Sequence, residues 1–287
     1  MNKAALRKRL IIGSANFEQT YGADPTKVNY DEVKKILYLA KKNNILKIDT
    51  AEDYLKKKNV FKNINKKFIF FTKIVFDSRS ASLEFCEKYL ENHFKIFNTN
   101  KVETIYFHDI KILFSKDGKK IFKNLEVLKK KKYFQKIGFS IYDPDCLNYI
   151  IPNYNFDAVQ FPFNLLDRRI VTSGWYDKLK NLKIETHIRS VFLQGLLVNK
   201  LVIKKKYFKK WQQKIFGWFQ YLENKNISPI DYCLTDLLTY DYDKIIIGIN
   251  NYNNLNEIIN FKKIKKNIKV FNFNINDTKL IDPRKWK

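Results

Sequence analysis

The chain has few of the residues that build disulfide frameworks and zinc sites. Its three cysteines, Cys86, Cys146 and Cys233, stand far apart in 287 residues, and no CxxC pair or histidine-rich spacing accompanies them. This spacing indicates neither a disulfide framework nor a zinc site. It fits a protein of a reducing compartment such as the cytoplasm. We therefore expect no metal centre.

Long apolar runs, nucleotide-binding glycine motifs and linkers are also missing. The run Leu10-Ile11-Ile12 ends at Gly13 and is too short for the apolar region of a signal peptide. No stretch approaches the roughly 20 apolar residues of a membrane span. No GxGxxG follows the first apolar run, and no segment rich in Pro, Gly or Ser interrupts the chain. We expect no membrane partner and interpret residues 1–287 as one domain.

Acidic residues are scarce relative to basic ones. The sequence has 55 Lys and Arg against 29 Asp and Glu, which gives a net charge of +26. Such an excess is typical of nucleic-acid-binding proteins. Few of the basic residues are arginine, however, and the lysines are spread over almost every segment beside abundant Asn, Ile, Phe and Tyr. We interpret them as a solvated surface and expect no specific nucleic-acid partner.

Short apolar runs alternate along the whole chain with segments of helical periodicity. The runs that predict strands begin, in chain order, at Leu10, Leu46, Phe68, Thr104, Phe134, Phe156, Ile184 and Lys244. Strict alternation of strands and helices indicates a parallel α/β fold. The number of strands favours a single (β/α)8 TIM barrel, for which about 250 residues suffice. An open, doubly wound sheet is the alternative.

Polar residues follow three of these apolar runs. Asp49 comes after the second run, Lys73 after the third and His108 after the fourth, while Tyr54 lies on the loop behind Asp49. In a β/α barrel the carboxyl ends of the strands converge on one mouth. A phenol has a pKa of about 10, and a nearby ammonium lowers it by favouring the phenolate. The four groups therefore suit a general acid that protonates a carbonyl oxygen while a hydride reaches the carbon.

Each of these residues also has an ordinary structural explanation. Asp49 could cap a helix, Tyr54 is one of 17 tyrosines that mostly pack, and a single Lys73 at a strand end is normally solvated. A lone histidine such as His108 is more often a satisfied core residue than a catalyst. Taken singly, the structural role is favoured for each residue. Their shared position after successive strands favours a site.

The same stretches resemble the aldo-keto reductase family along nearly the whole chain, in a bacterial subgroup. The matching segments are IIGSANF, IDTAEDY, FFTKI, IYFHDI, KIGFSIYDP, AVQFPFNLLDRR, IRSVFLQGLL and IIIGINNYNNLNE. The resemblance implies a β/α barrel that uses NADPH or NADH without a metal. It implies a catalytic tetrad of Asp49, Tyr54, Lys73 and His108, in which Tyr54 is the acid.

The resemblance also implies a set of cofactor-binding residues. Ser140 and Gln160 would hold the nicotinamide carboxamide, and Arg189 stands where the family places a residue against the nicotinamide ring. Residues implied for the pyrophosphate and adenosine ends are Gln194, Gly195, Leu196, Gly248, Asn250, Asn254 and Glu257. Asn250 stands where the family often has the Arg or Lys that pairs with a 2′-phosphate. Leu55, Lys57 and Lys58 replace the Gly and Ser-Glu that commonly follow the catalytic Tyr.

These observations predict an oxidoreductase that reduces an aldehyde or ketone, with sugar-derived carbonyls among the candidates. A non-catalytic or regulatory nicotinamide-binding barrel is the first alternative, and a nucleic-acid binder is the second. Substrate specificity is expected from aromatic residues on surrounding loops, which could equally be packing residues. These aromatic residues are Phe17, Tyr21, Trp175, Trp211 and Trp286.

Overall fold

The computed structural model describes most of the 287 residues. The described ranges are 3–17, 20, 23, 27–54, 61, 67–97, 102–264, 271, 273, 275 and 277–286. Two sequence-based expectations, the specificity role of Tyr21 and the altered loop at Leu55, Lys57 and Lys58, lie outside the described residues.

Eight parallel strands close into a barrel in chain order, with β1 paired to both β2 and β8. The (β/α)8 prediction is thereby confirmed, and the open sheet is excluded. The strands are β1 Leu10–Gly13, β2 Lys47–Ala51, β3 Ile69–Ile74, β4 Val102–Phe107, β5 Lys136–Ser140, β6 Ala158–Pro162, β7 Glu185–Arg189 and β8 Lys244–Gly248.

Helices surround the barrel and bury their apolar faces against the strands. They are α1 Lys3–Arg9, α2 Tyr30–Lys42, α3 Leu83–Lys95, α4 Gly118–Lys130, α5 Leu147–Asn153, α6 Arg169–Thr172, α7 Trp175–Asn181, α8 Gln212–Asn224, α9 Pro229–Leu237, α10 Tyr252–Ile259 and α11 Thr278–Ile281. In α2, for example, Val33, Ile36 and Leu37 are buried at helical spacing, and Asn29 caps the first turn by accepting from the Glu32 N–H. No helix in the described ranges is long and apolar enough to cross a membrane.

The strand residues form two separate apolar clusters. The larger one lies between the strands and the helices. The smaller one fills the interior of the barrel and consists of Ile11, Phe71, Tyr106, Ala158 and Ile246. Because side chains alternate between the two faces of each strand, the same segment supplies both clusters. The interior is thus a packed layer that forms the floor of the barrel mouth.

Two strands extend further than the apolar runs that predicted them. Asp49 and Lys73 were expected just after β2 and β3, but each lies inside its strand, which continues to Ala51 and Ile74. His108 does follow its strand directly, as expected. The strands outlast the apolar runs for a simple reason. A polar side chain that faces the barrel interior interrupts an apolar run without interrupting the hydrogen bonds between strands.

Candidate active site

A pocket opens at the carboxyl ends of the strands and brings together the four predicted catalytic residues. Asp49, Tyr54, Lys73 and His108 all line it. Seven of the predicted cofactor-binding residues line the same pocket, namely Ser140, Arg189, Gln194, Gly195, Gly248, Asn250 and Asn254. Gln160, Leu196 and Glu257 do not line it.

Asp49 and Lys73 form a buried ion pair across neighbouring strands. The Lys73 ammonium donates to Asp49 Oδ1 and, at 3.2 Å, to the Thr50 carbonyl. Only 4% of the Lys73 side chain and 6% of the Asp49 side chain are exposed. Burial lowers the pKa of Lys73, and the Asp49 carboxylate opposes this by stabilising the charged form. The pair therefore places a cation in the floor of the pocket.

Tyr54 lies over this cation. It ends a 3₁₀ turn, Glu52–Tyr54, that follows β2 directly. The Lys73 Nζ is 5.7 Å from the centre of the Tyr54 ring. The short turn thus carries the phenol back over the ion pair formed by its own strand and the next one.

His108 stands edge-on to Tyr54, with their ring centres 6.5 Å apart and their planes at 80°. Burial lowers the pKa of His108, and the nearby Lys73 charge lowers it further. The Asp53 carboxylate opposes this shift from 3.8 Å, which is too long for a hydrogen bond. Nδ1 of His108 has no hydrogen-bond partner within the described part of the chain. His108 is therefore a neutral imidazole at neutral pH, beside the phenol.

Gln160 lies beneath the pocket and is completely buried. Its Nε2 donates to Asp49 Oδ2 at 2.8 Å, so the second oxygen of the ion-paired carboxylate is also held. Gln160 pairs in register with Ser140 across β5 and β6. The Gln160 Oε1 has no hydrogen-bond partner in the described ranges. A buried acceptor without a donor is costly, and it fits an amide that a ligand N–H would satisfy.

The loop after β7 has an unusual backbone. Ser190, Leu193, Gln194 and Gly195 all have positive φ angles, of 59°, 46°, 51° and 93°. Successive residues of this kind form concave turns that bind anions. The N–H groups of Gly195 and Leu196 donate within the turn, to Phe192 and Leu193. A ligand bound at this loop would have to share these two N–H donors or bind to other groups of the loop. The side chain of Leu196 is fully buried.

Asparagines cluster at the end of β8. Asn16 Nδ2 donates to Asn250 Oδ1 at 2.6 Å and to the Ile249 carbonyl at 3.1 Å. Asn254 Oδ1 accepts from the Asn250 N–H at 3.5 Å. Glu257 lies further along α10, is exposed, and accepts from Ser228 Oγ at 3.2 Å. The cofactor role of Glu257 thus stays a prediction that its position outside the pocket does not support.

The expected aromatic specificity residues do not line the pocket. Phe17, Trp175 and Trp211 are buried in the outer core, and Trp286 packs at 4.8 Å from Phe208. Their positions fit the packing alternative, because these residues fill space between helices and loops. Besides Tyr54, two further aromatic residues of the described ranges line the pocket, Tyr142 and Phe192. Tyr142 lies in the KIGFSIYDP segment, two residues after Ser140. This closeness to a predicted cofactor-binding residue is the sequence signal that could have identified it as a pocket residue.

A polar chain inside the barrel was also missed. His187 Nε2 lies 3.0 Å from Glu185 Oε2 and donates to it, because a carboxylate can only accept. In the neutral ring Nδ1 is then the acceptor, and the Tyr106 hydroxyl donates to it at 2.5 Å. Burial opposes ionisation of Glu185, but hydrogen bonds from His187 and Lys136 hold its pKa at about 2. Burial raises the pKa of Tyr106 well above its usual range. These hydrogen bonds link β4 and β7 in the barrel interior.

Among the described residues no cluster of His, Cys, Asp and Glu could hold a metal ion.

Comparisons with known proteins agree with this architecture. Residues 9–276 match the model of the aldo/keto reductase family. The glycerol dehydrogenase of Gluconobacter oxydans is 16% identical, with a TM-score of 0.66 over 90% of this chain and 88% of that one. A putative aldo-keto reductase of Pseudomonas aeruginosa is 15% identical, with a TM-score of 0.63 over 88% of each chain.

A thermostable aldo-keto reductase, solved with the inhibitor epalrestat, is 16% identical, with a TM-score of 0.65 over 90% of this chain and 91% of that one. At these identities the likeness to solved structures shows a shared fold. The search of curated proteins gives no match. The family model spans nearly the whole barrel, and on that ground the chain belongs to the aldo/keto reductase family.

Proposed function

We propose that this protein reduces an aldehyde or ketone with a nicotinamide cofactor and that Tyr54 is the general acid. The observation that carries the proposal is the buried Asp49–Lys73 pair beneath the Tyr54 ring, with neutral His108 beside it. Family membership supports oxidoreductase chemistry in general. The roles of individual residues and the choice of cofactor are our inference.

Three side chains would act on the carbonyl oxygen. The Tyr54 hydroxyl gives its proton to that oxygen as negative charge develops on it. The Lys73 ammonium stabilises the phenolate left behind, because opposite charges attract strongly in a water-poor pocket. His108 donates a hydrogen bond from its neutral ring and so orients the carbonyl. Asp49 and Gln160 keep the Lys73 ammonium charged and in place.

The pocket fits a nicotinamide cofactor. Gln160 Oε1, which has no hydrogen-bond partner among the described residues, is suited to a carboxamide, and Gln160 is in register with Ser140. The left-handed turn at Gln194 and Gly195 is suited to a phosphate. When bound, a reduced nicotinamide supplies the hydride that the carbonyl carbon receives. We assign its binding to Ser140, Gln160, Arg189, Gln194, Gly195, Leu196, Gly248, Asn250 and Asn254, with Glu257 the weakest member.

The direct test is a screen with the wild-type protein. NADPH and NADH oxidation would be followed at fixed enzyme concentration across aldehydes, ketones and sugar-derived carbonyls. We expect turnover of at least one carbonyl class, together with saturable cofactor binding in a fluorescence titration. Tight cofactor binding with no turnover of any carbonyl would favour the non-catalytic barrel instead. Absence of both would remove the proposal.

A further inference from the structure

Arg189 is the last residue of β7, and its guanidinium is held rigidly at the pocket wall. Its Nη2 donates to the Ile141 carbonyl at 3.0 Å, and its Nη1 reaches Ser190 Oγ at 3.4 Å. The guanidinium carbon lies 4.0 Å from the centre of the Tyr142 ring. A guanidinium has five N–H donors, and these contacts use two of them. The group is therefore oriented by the protein and still has donors to offer.

The charge of Arg189 has no carboxylate partner among the residues that the structure describes. The neighbouring cations differ in this respect. Lys73 is paired with Asp49, and Arg284, which covers the opposite face of the Tyr142 ring at 3.6 Å, is paired with Asp282. Since His108 is neutral, Arg189 makes the pocket lining electropositive.

Arg189 acts at the reacting end of the pocket. After burial, its charge is among the influences that lower the pKa of both Lys73 and His108. A guanidinium with a fixed plane, and with unused donors and no counter-ion among the described residues, matches the geometry of a carboxylate or phosphate. The location beside Lys73 and His108 favours an anionic group attached near the carbonyl carbon of the substrate.

We propose that Arg189 binds an oxyanion, a carboxylate or phosphate, of the ligand that fills this pocket, and that the protein prefers carbonyl substrates bearing such a group. The proposal rests on the proposed reductase function and goes beyond it by naming the substrate class. The phosphates of the cofactor are the other source of the same chemistry.

The test compares matched substrates in three variants. Succinic semialdehyde would be paired with its methyl ester, and glyceraldehyde 3-phosphate with glyceraldehyde. Arg189→Gln removes the charge, Arg189→Lys keeps the charge without the planar fork, and Arg284→Gln is the control on the other face of Tyr142. All four proteins would be checked for equal thermal unfolding before kinetic measurement.

For wild type we expect kcat/KM to be at least about tenfold higher for the anionic member of a pair. Arg189→Gln should abolish this preference through KM, Arg189→Lys should keep part of it, and Arg284→Gln should leave it unchanged. A wild-type protein that turns over neutral and anionic members equally would overturn the substrate preference while the proposed function stands.

Two binding measurements separate the sources and do not depend on turnover. NADPH and NADH affinities would be titrated by fluorescence, and oxalate and inorganic phosphate binding by calorimetry, for wild type, Arg189→Gln and Arg284→Gln. Loss of oxalate or phosphate binding in Arg189→Gln alone supports the substrate anion. Loss of cofactor affinity with unchanged oxalate and phosphate binding would leave Arg189 only its assigned role against the cofactor and would overturn the substrate-anion site. If Arg189→Gln changes none of these quantities, the anion site is refuted.

Discussion

Asp49 and Lys73 meet in an ion pair that is nearly shielded from solvent, and the carboxylate stabilises the charged form of the Lys73 ammonium. Removing one member leaves a buried charge without its partner, which typically costs about 3–5 kcal/mol. Lys73→Met should therefore lower the free energy of unfolding by roughly that amount. It should also slow turnover, because the Tyr54 phenolate loses its cation.

A second substitution separates stability from chemistry at this pair. The double variant Asp49→Asn with Lys73→Met leaves no buried charge at this pair, so we expect it to regain much of the lost stability and none of the activity. Urea unfolding and steady-state turnover of wild type, both single variants and the double variant would measure this. If stability and activity recovered together, Lys73 would have no separate chemical role.

Gly138 on β5 lies where the neighbouring strands β4 and β6 leave no room for a side chain inside the barrel. A Cβ at this position would lie 2.7 Å from Tyr106 Cδ1 and 2.8 Å from the Ala158 carbonyl oxygen. Both are too close, and one of them belongs to a strand backbone. We expect Gly138→Ala to destabilise the protein by about 1–3 kcal/mol, the usual cost of overpacking.

The same change elsewhere provides the control. Gly217 lies within α8, where, among the described residues, an added Cβ would meet only Phe271 Cζ at 4.0 Å. Gly217→Ala should therefore raise stability by about 0.5–1 kcal/mol through helix propensity. Urea unfolding of both variants measures the contrast, and equal effects would mean that Tyr106 does not fill the space beside Gly138.

His93 on α3 links this helix to β3 and makes stability depend on pH. Its Nε2 shares a hydrogen bond with Thr72 Oγ1 at 2.8 Å, and burial lowers the pKa of His93 from 6.5 to about 4. Between these values the unfolded chain binds the proton and the folded protein does not. The contribution of His93 to the free energy of unfolding is therefore complete above pH 6.5. It is lost as the pH falls towards 4, and the total loss is about 3 kcal/mol.

His93→Gln isolates this contribution, because glutamine can still bond Thr72 but does not titrate. Wild type should lose more stability than His93→Gln between pH 7 and pH 5 in matched urea unfolding experiments. Other buried groups titrate equally in both proteins and cancel in the comparison. An identical pH dependence of the two proteins would show that His93 is not buried in its neutral form.

The elements of this fold could be predicted better than the contacts between them. The alternating periodicity correctly predicted the barrel, and the predicted end of β4 at Phe107, just before His108, was also correct. The ends of β2 and β3 were not, because Asp49 and Lys73 satisfy each other across 24 residues, and no local pattern shows such a partner. The clamp of Tyr142 on Arg189 is a contact of the same long-range kind.

For the whole molecule, the excess of positive charge is distributed over the helices around the barrel. The last turns of α2 and α4, for example, carry Lys41, Lys42, Lys129 and Lys130. Scattered lysines attract polyanions through long-range charge and are screened by salt. We expect weak, sequence-independent binding to DNA or RNA that disappears at physiological ionic strength. Filter binding across a salt series would test this, and tight, sequence-selective binding at that salt would contradict it.

The central claim about the molecule is that Tyr54 protonates the carbonyl oxygen. Tyr54→Phe keeps the ring over Lys73 and removes only the hydroxyl. Tyr38→Phe makes the same chemical change at a tyrosine that is 69% exposed and serves as the control. Single-turnover hydride transfer to a carbonyl found in the screen, with cofactor titration alongside, is the decisive measurement. We predict a loss of at least about 100-fold in rate for Tyr54→Phe with cofactor affinity nearly unchanged, whereas a near-wild-type rate would show that Tyr54 is not the acid.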